Sequence, residues 1–175
     1  MSYEIGWPRT SRNFFCVVMP LVYVWLMPTD SRLSRMLHVL IHMDRHGGPL
    51  TSEAIAAMLG TNPVVVRRTM AGLKAAGYVS SVKGHGGGWT LARALDGITL
   101  LDIHEALGNP KLFAIGLSDD DPACLIERAV NAAMTETLGD AEQMLRARLA
   151  QVTVEAVAPD PETVRAYMAA RTVEA

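Results

Sequence analysis

Residues 51–89 read TSEAIAAMLGTNPVVVRRTMAGLKAAGYVSSVKGHGGGW, and the order of signals along them decides the fold. The segment opening at Thr51 is a short helix in which Ile55, Met58 and Leu59 share a face, and Gly60-Thr61-Asn62 supplies a turn. Asn62 is a good N-cap, and Pro63 suits the first helical position, where a missing N–H costs nothing. Val66, Met70 and Leu73 then recur at helical spacing as a buried stripe, Val64, Arg67 and Arg68 fall on the opposite face, and Gly77 stops the helix as a left-handed residue. Tyr78 to Val82 alternates like a strand, Lys83-Gly84-His85-Gly86-Gly87-Gly88 is a glycine-dominated turn, and Trp89-Thr90-Leu91 returns as the partner strand. Helix, tight turn, helix and hairpin together predict a winged helix-turn-helix.

Outward from this stretch, charge divides the chain. Residues 31–93 hold eight Lys or Arg and two acids, whereas residues 94–175 hold six bases and fourteen acids, so an overall net charge of -2 conceals a basic block over the helix-turn-helix. A basic head on an acidic body suits a protein that reads DNA with one part and not the other. On the N-terminal side, Asp30 or Ser31 can cap a helix whose Leu33, Met36, Leu37, Leu40 and Ile41 form an apolar face, ending at Gly47-Gly48-Pro49. After the wing, Thr99-Leu100-Leu101-Asp102 looks like a capping-box variant opening a short helix closed by Gly108-Asn109-Pro110. Asp121-Pro122 is read as the cap of a long helix in which Ile126, Val130, Met134, Leu138, Ala141, Leu145, Leu149 and Val152 recur at steps of three or four. Such a stripe wants a partner helix, and a reader of paired half-sites needs two heads at fixed spacing, so a homodimer is expected.

The expected organisation is therefore an N-terminal extension (1–26), a winged helix-turn-helix DNA-binding domain (27–110), a sensor-region loop (111–121), a dimerisation helix (122–156) and an acidic tail (157–175). The fold class is mainly α with a small β-hairpin wing and a long C-terminal dimerisation helix. Arg9 and Arg12 precede an apolar run from Phe14 to Met27 that resembles part of a signal peptide, but Pro20 interrupts it and no small-x-small cleavage site follows. It also falls short of the roughly 20 residues of a spanning helix, so Met27 is preferred as the natural start, ahead of an added packing helix and, last, a membrane anchor, and no membrane is expected. Cys16 and Cys124 are too few and too far apart for a disulfide framework or a metal spacing, which suits a reducing, cytoplasmic setting.

Three segments carry a family resemblance: residues 32–38 (RLSRMLH), 73–92 (LKAAGYVSSVKGHGGGWTLA) and 98–103 (ITLLDI). With these the chain resembles the Rrf-two (BadM-type) family of winged helix-turn-helix transcriptional regulators over about residues 27–150. The resemblance implies a homodimer joined through the long helix, a palindromic operator and a small switching signal. Several members hold an iron-sulfur cluster with three cysteines; here Cys124 matches only the last, Lys111 to Ala123 supplies no other thiol, and Glu127 stands where some members place a histidine. No cofactor is therefore expected.

The residues themselves indicate how DNA would be read. Thr51 and Ser52 begin a helix whose free N–H groups suit phosphate, and Asn62 begins the next. Val64 can touch a thymine methyl and Arg67 or Arg68 can reach guanine, each good pair contributing about 1–3 kcal/mol of discrimination. At the wing, Lys83 and His85 project from a tip whose Gly86 and Gly87 allow positive φ and close backbone approach to a minor groove. Cys124, near a helix start, is either a redox sensor or a small buried thiol, the second being the plainer reading. His38, His42 and His46 lie at steps of four, a spacing that can bind metal, but His38 adjoins the apolar stripe and His46 suits the helix end, so they are read as structural and no metal site is assigned. No Ser-His-Asp, His-Glu-x-x-His or phosphate-loop pattern occurs, which argues against an enzyme. The alternatives to a DNA-binding repressor are a winged-helix protein-interaction module and a thiol- or metal-responsive variant of the regulator.

Overall fold

The computed structural model describes residues 30–84, 86–119, 121, 123–160, 162 and 163. The extension at 1–26 and the end of the acidic tail lie outside them, as does His85. The chain divides at Asp30, and the fold below belongs to the unit starting at Ser31.

Helix α1 (Arg32–His46) buries Met36, Val39, Leu40 and Met43, and Gly47 ends it in the left-handed region at φ 69°. Helix α2 (Ser52–Leu59) follows, capped by the Thr51 hydroxyl, which accepts the Ala54 N–H at 3.1 Å. Helix α3 (Pro63–Ala75) is capped by Asn62, whose Oδ1 accepts the Val64 N–H at 2.8 Å. Its predicted stripe is its buried face: Val66, Met70 and Leu73. It closes as the sequence indicates, with Gly77 at φ 80° and the paired bonds Tyr78 N–H to Leu73 O and Gly77 N–H to Lys74 O, both 3.0 Å.

Strands β1 (Val79–Val82) and β2 (Gly88–Leu91) pair antiparallel, with Val79 opposite Leu91 and Val82 opposite Gly88. Leu50 adds a bridge on the other side of β2, exchanging bonds of 3.0 and 2.8 Å with Trp89, so the hairpin is stitched to the start of the helix-turn-helix. Helix α4 (Leu100–Ala106) opens with a complete capping box: Thr99 Oγ1 accepts the Asp102 N–H at 3.1 Å, and Asp102 Oδ2 accepts the Thr99 N–H at 2.8 Å. One core unites these pieces, with Ile55, Met70, Leu73, Ile98 and Ile103 fully buried in it.

Helix α5 (Leu125–Gln151) differs from the expectation at both ends. It starts after Cys124 because the Asp121 carboxylate caps a preceding turn, taking the Ala123 N–H at 3.1 Å, while the Asp121 carbonyl takes the Cys124 N–H at 2.9 Å. It stops at Gln151 because the next residues turn extended and bridge back, Leu100 N–H to Val152 O at 2.9 Å and Val154 N–H to Ile98 O at 2.8 Å. Val154 thereby joins the core, fully buried. Arg146 fixes the same end, donating to Asn109 Oδ1 at 2.7 Å and pairing with Glu105. Within α5 no residue is buried, and Leu125, Ile126, Val130 and Met144 are all more than half exposed. No helix among the described residues is long and apolar enough to cross a membrane.

Candidate nucleic-acid interface

Three elements present the predicted reading residues: the start of α2, the outer face of α3 and the wing. At the first, Thr51 is exposed and occupied as the cap, whereas Ser52 is buried. The Ser52 hydroxyl accepts a hydrogen bond from Trp89 Nε1 at 3.0 Å, so its side chain faces inward and only its N–H, at the first helical position, is left for a phosphate. That bond explains the aromatic that follows the glycine tip: Trp89 fastens the hairpin to α2.

On α3, Val66 and Met70 point into the core, which turns Val64, Arg67 and Arg68 outward on a helix of 3.6 residues per turn. Val64 is 61% exposed. The two arginines are not equivalent. Arg67 is held by Glu53 of α2 at 3.0 Å, while Arg68, also exposed, has no ion pair among the described residues. Asn62 is committed to its cap. The far end of α3 is tied to the wing by Lys74, whose Nζ donates to Ser81 Oγ at 2.6 Å.

The wing tip holds Lys83, exposed at the end of β1, and two glycines with positive φ, Gly84 at 102° and Gly86 at 76°. Gly87 and Gly88 have no positive φ and are small for another reason. A Cβ on Gly87 would run into the Val82 carbonyl, and one on Gly88 would lie 2.6 Å from the Leu50 carbonyl, where the bridge crosses β2. At the base of the wing, the Arg93 guanidinium lies 5.6 Å from the Tyr78 ring centre. Burial, and then Asp102, push the Tyr78 hydroxyl up from its ordinary value. Burial would raise Asp102 too, but hydrogen bonds from the Thr99 N–H and hydroxyl and from Tyr78, with Arg93 nearby, hold it below the usual carboxylate value. The wing and α4 thus share one polar junction. No sequence spacing signals Trp89–Ser52, Lys74–Ser81 or the Leu50 bridge, each of which joins residues distant along the chain or on different elements.

In the sensor region, Cys124 is the one cysteine among the described residues, half-buried at the start of α5 and without a side-chain bond to the helix end. Among the described residues no group of three or more His, Cys, Asp or Glu is placed to hold a metal ion. An open depression of about 590 Å³ along the first turns of α5 is lined by Asp119, Leu125, Glu127, Arg128 and Asn131, and not by Cys124.

The Rrf2 family profile, described as an iron-dependent transcriptional regulator, matches residues 29–160. The chain belongs to the Rrf2 family. It is 32% identical over 131 residues to YwnA of Bacillus subtilis (strain 168), which carries the name of an HTH-type transcriptional regulator; the match spans 73% of this chain and 95% of YwnA. A crystal structure of a transcriptional regulator from Lactobacillus plantarum superposes with a TM-score of 0.61 at 24% identity, over 73% of this chain and 87% of that one. A second solved structure, described as a DNA-binding protein, gives 0.55 at 30% identity, over 73% and 98%. This Rrf2 protein is thus a transcriptional regulator and not an enzyme, and its winged-helix fold is that of its solved relatives.

Proposed function

We propose that the protein is a homodimeric, sequence-specific DNA-binding repressor that lays α3 in a major groove and the wing in the adjacent minor groove. The observation that carries this reading is the outward face of α3, where Val64 and Arg68 stand exposed beside a wing ending in Lys83. The Glu53 pairing makes Arg68, rather than Arg67, the arginine that reaches a guanine edge. The Thr51 cap orients the α2 N-terminus, whose N–H groups and positive dipole end meet a phosphate. Gly84 and Gly86 let the wing backbone run close to the minor groove while Lys83 enters its negative potential. Dimerisation is assigned to α5, whose exposed Leu125, Ile126, Val130 and Met144 would be covered by the same helix of a second copy. Two heads so joined would occupy half-sites about 34 Å apart, and repression follows from occupying a promoter.

The signal is not assigned to an iron-sulfur cluster. A three-thiolate site needs three cysteines and the sequence holds two, with Cys124 alone in the region concerned.

Fluorescence anisotropy with duplex DNA from the region upstream of the chain's own gene tests the reading. Binding should weaken steeply with salt as counterions are released. Arg68→Ala should lower affinity for the preferred duplex by about 1–3 kcal/mol and relax its sequence preference. Absence of binding at low salt to every genomic duplex tried would overturn the proposal and leave a winged helix devoted to protein contacts.

A further inference from the structure

The histidines of α1 do not all serve its packing. Met36, Val39, Leu40 and Met43 mark the buried side of that helix, while His38 and His42 are both exposed, one turn apart on the side away from it. Their rings meet at an interplanar angle of 76° with centroids 4.6 Å apart. Neither ring has another hydrogen-bond or ion-pair partner among the described residues, and Asp44, the carboxylate closest in sequence, faces Arg45 at 4.0 Å. The rings stand edge to face, and because the two residues are one helical turn apart each can rotate a ring nitrogen toward a shared ion.

We propose that His38 and His42 form a two-point surface site for a divalent transition ion of the nickel, copper and zinc class. Imidazole nitrogens suit these ions and not magnesium or calcium, which take oxygen ligands. At metal–nitrogen distances of about 2.0–2.1 Å, two nitrogens on a tetrahedral ion lie roughly 3.3 Å apart, so the exposed rings, 4.6 Å apart between centres and edge to face, turn about their side-chain bonds to load the ion. Water fills the remaining positions, because among the described residues no third ligand is placed to complete a closed site. His46 continues the steps of four but stands beside the Gly47-Gly48 turn, its Nδ1 3.8 Å from where a Gly48 side chain would begin, and is not a ligand. The site lies opposite the core, so its loading is compatible with the folded head, and an ion bound across one turn staples α1.

The test uses the full chain without an affinity tag, stripped of metal, titrated with Ni(II), Zn(II) or Mg(II) alone by calorimetry. The wild type should take up one equivalent of nickel or zinc and no magnesium. His38→Ala and His42→Ala should each weaken uptake at least about tenfold, the loss already typical of removing an outer-shell partner. His46→Ala should leave it unchanged. Nickel should broaden the ring NMR signals of His38 and His42 before that of buried His104. Nickel should also raise the unfolding temperature of the wild type and not of the doubly substituted chain, since an ion that binds only the native state stabilises it. Equal uptake by the wild type and the double variant, or no saturable uptake by the wild type, would overturn the proposal; both side chains are exposed, and a matching far-ultraviolet spectrum confirms that the variants fold.

Discussion

The head and the long helix are opposite solutions to the same composition. In the head, Leu40, Ile55, Met70 and Leu73 are withdrawn from water completely, each on a helix of 8 to 15 residues. On α5, 27 residues long, the apolar positions recur just as regularly and none is buried. Periodicity announces that a face will be covered; it does not say by what. The head covers its stripes with its own elements, whereas the first half of α5, about 20 Å of a helix rising about 1.5 Å per residue, stands without any.

The sharpest way to break this contrast is to place a charge on the uncovered face. Val130→Asp, at a position 55% exposed, should leave the far-ultraviolet spectrum intact but reduce the sedimenting mass from two chains to one, because a symmetric interface buries the unpaired carboxylate twice. An unchanged mass would mean α5 is not the interface. Next in size is Leu73→Ala, which should lower stability in urea by about 2–5 kcal/mol through lost burial and a cavity. Ile126→Ala, at 76% exposure, should cost less than about 0.5 kcal/mol in protein dilute enough to be monomeric. Gly88→Ala should cost about 1–3 kcal/mol by overpacking, since its Cβ meets the Leu50 backbone, and should loosen the wing, read as faster hydrogen exchange at Trp89. Thr99→Ala should cost about 1 kcal/mol at neutral pH from the lost cap. Because Asp102 is depressed when folded, the stability it brings is complete above its ordinary value of 3.8 and drains away as pH falls through its folded value. The share of the Thr99→Ala difference that comes from the hydroxyl's bond to the Asp102 carboxylate should therefore shrink as pH falls below 3.8, while the share from the hydroxyl accepting the Asp102 N–H persists, which denaturation followed from pH 7 into acid would reveal.

Local signals foretold the head well because its elements are specified locally. Asn62-Pro63, Gly77 and Thr99-x-x-Asp102 each satisfy backbone groups within a few residues, and each sits where the sequence placed it. Long-range pairings were invisible for the complementary reason. Nothing near Ser52 in sequence announces an indole 37 residues away, and a one-residue bridge such as Leu50 with Trp89 or Thr99 with Thr153 has no period to detect. The candidate reading face divides the same way: Val64 and Arg68 follow from helical geometry, while the restraint on Arg67 needed the placement of Glu53. His38 shows the limit from the other side, since adjoining an apolar stripe did not bury it.

The bridge at Thr99 and Thr153 gives α5 unequal ends. With Val154 in the core and Arg146 tied to α4, the helix is anchored to the head where it meets the chain leaving the wing, whereas its start at Leu125 is moored to the loop before it, Asn131 Nδ2 donating to the Ser118 carbonyl at 2.8 Å and Glu127 accepting the Asp121 N–H at 3.0 Å. A helix of 27 residues therefore separates the exposed Leu125 and Ile126 from the end that shares backbone bonds with Ile98 and Leu100.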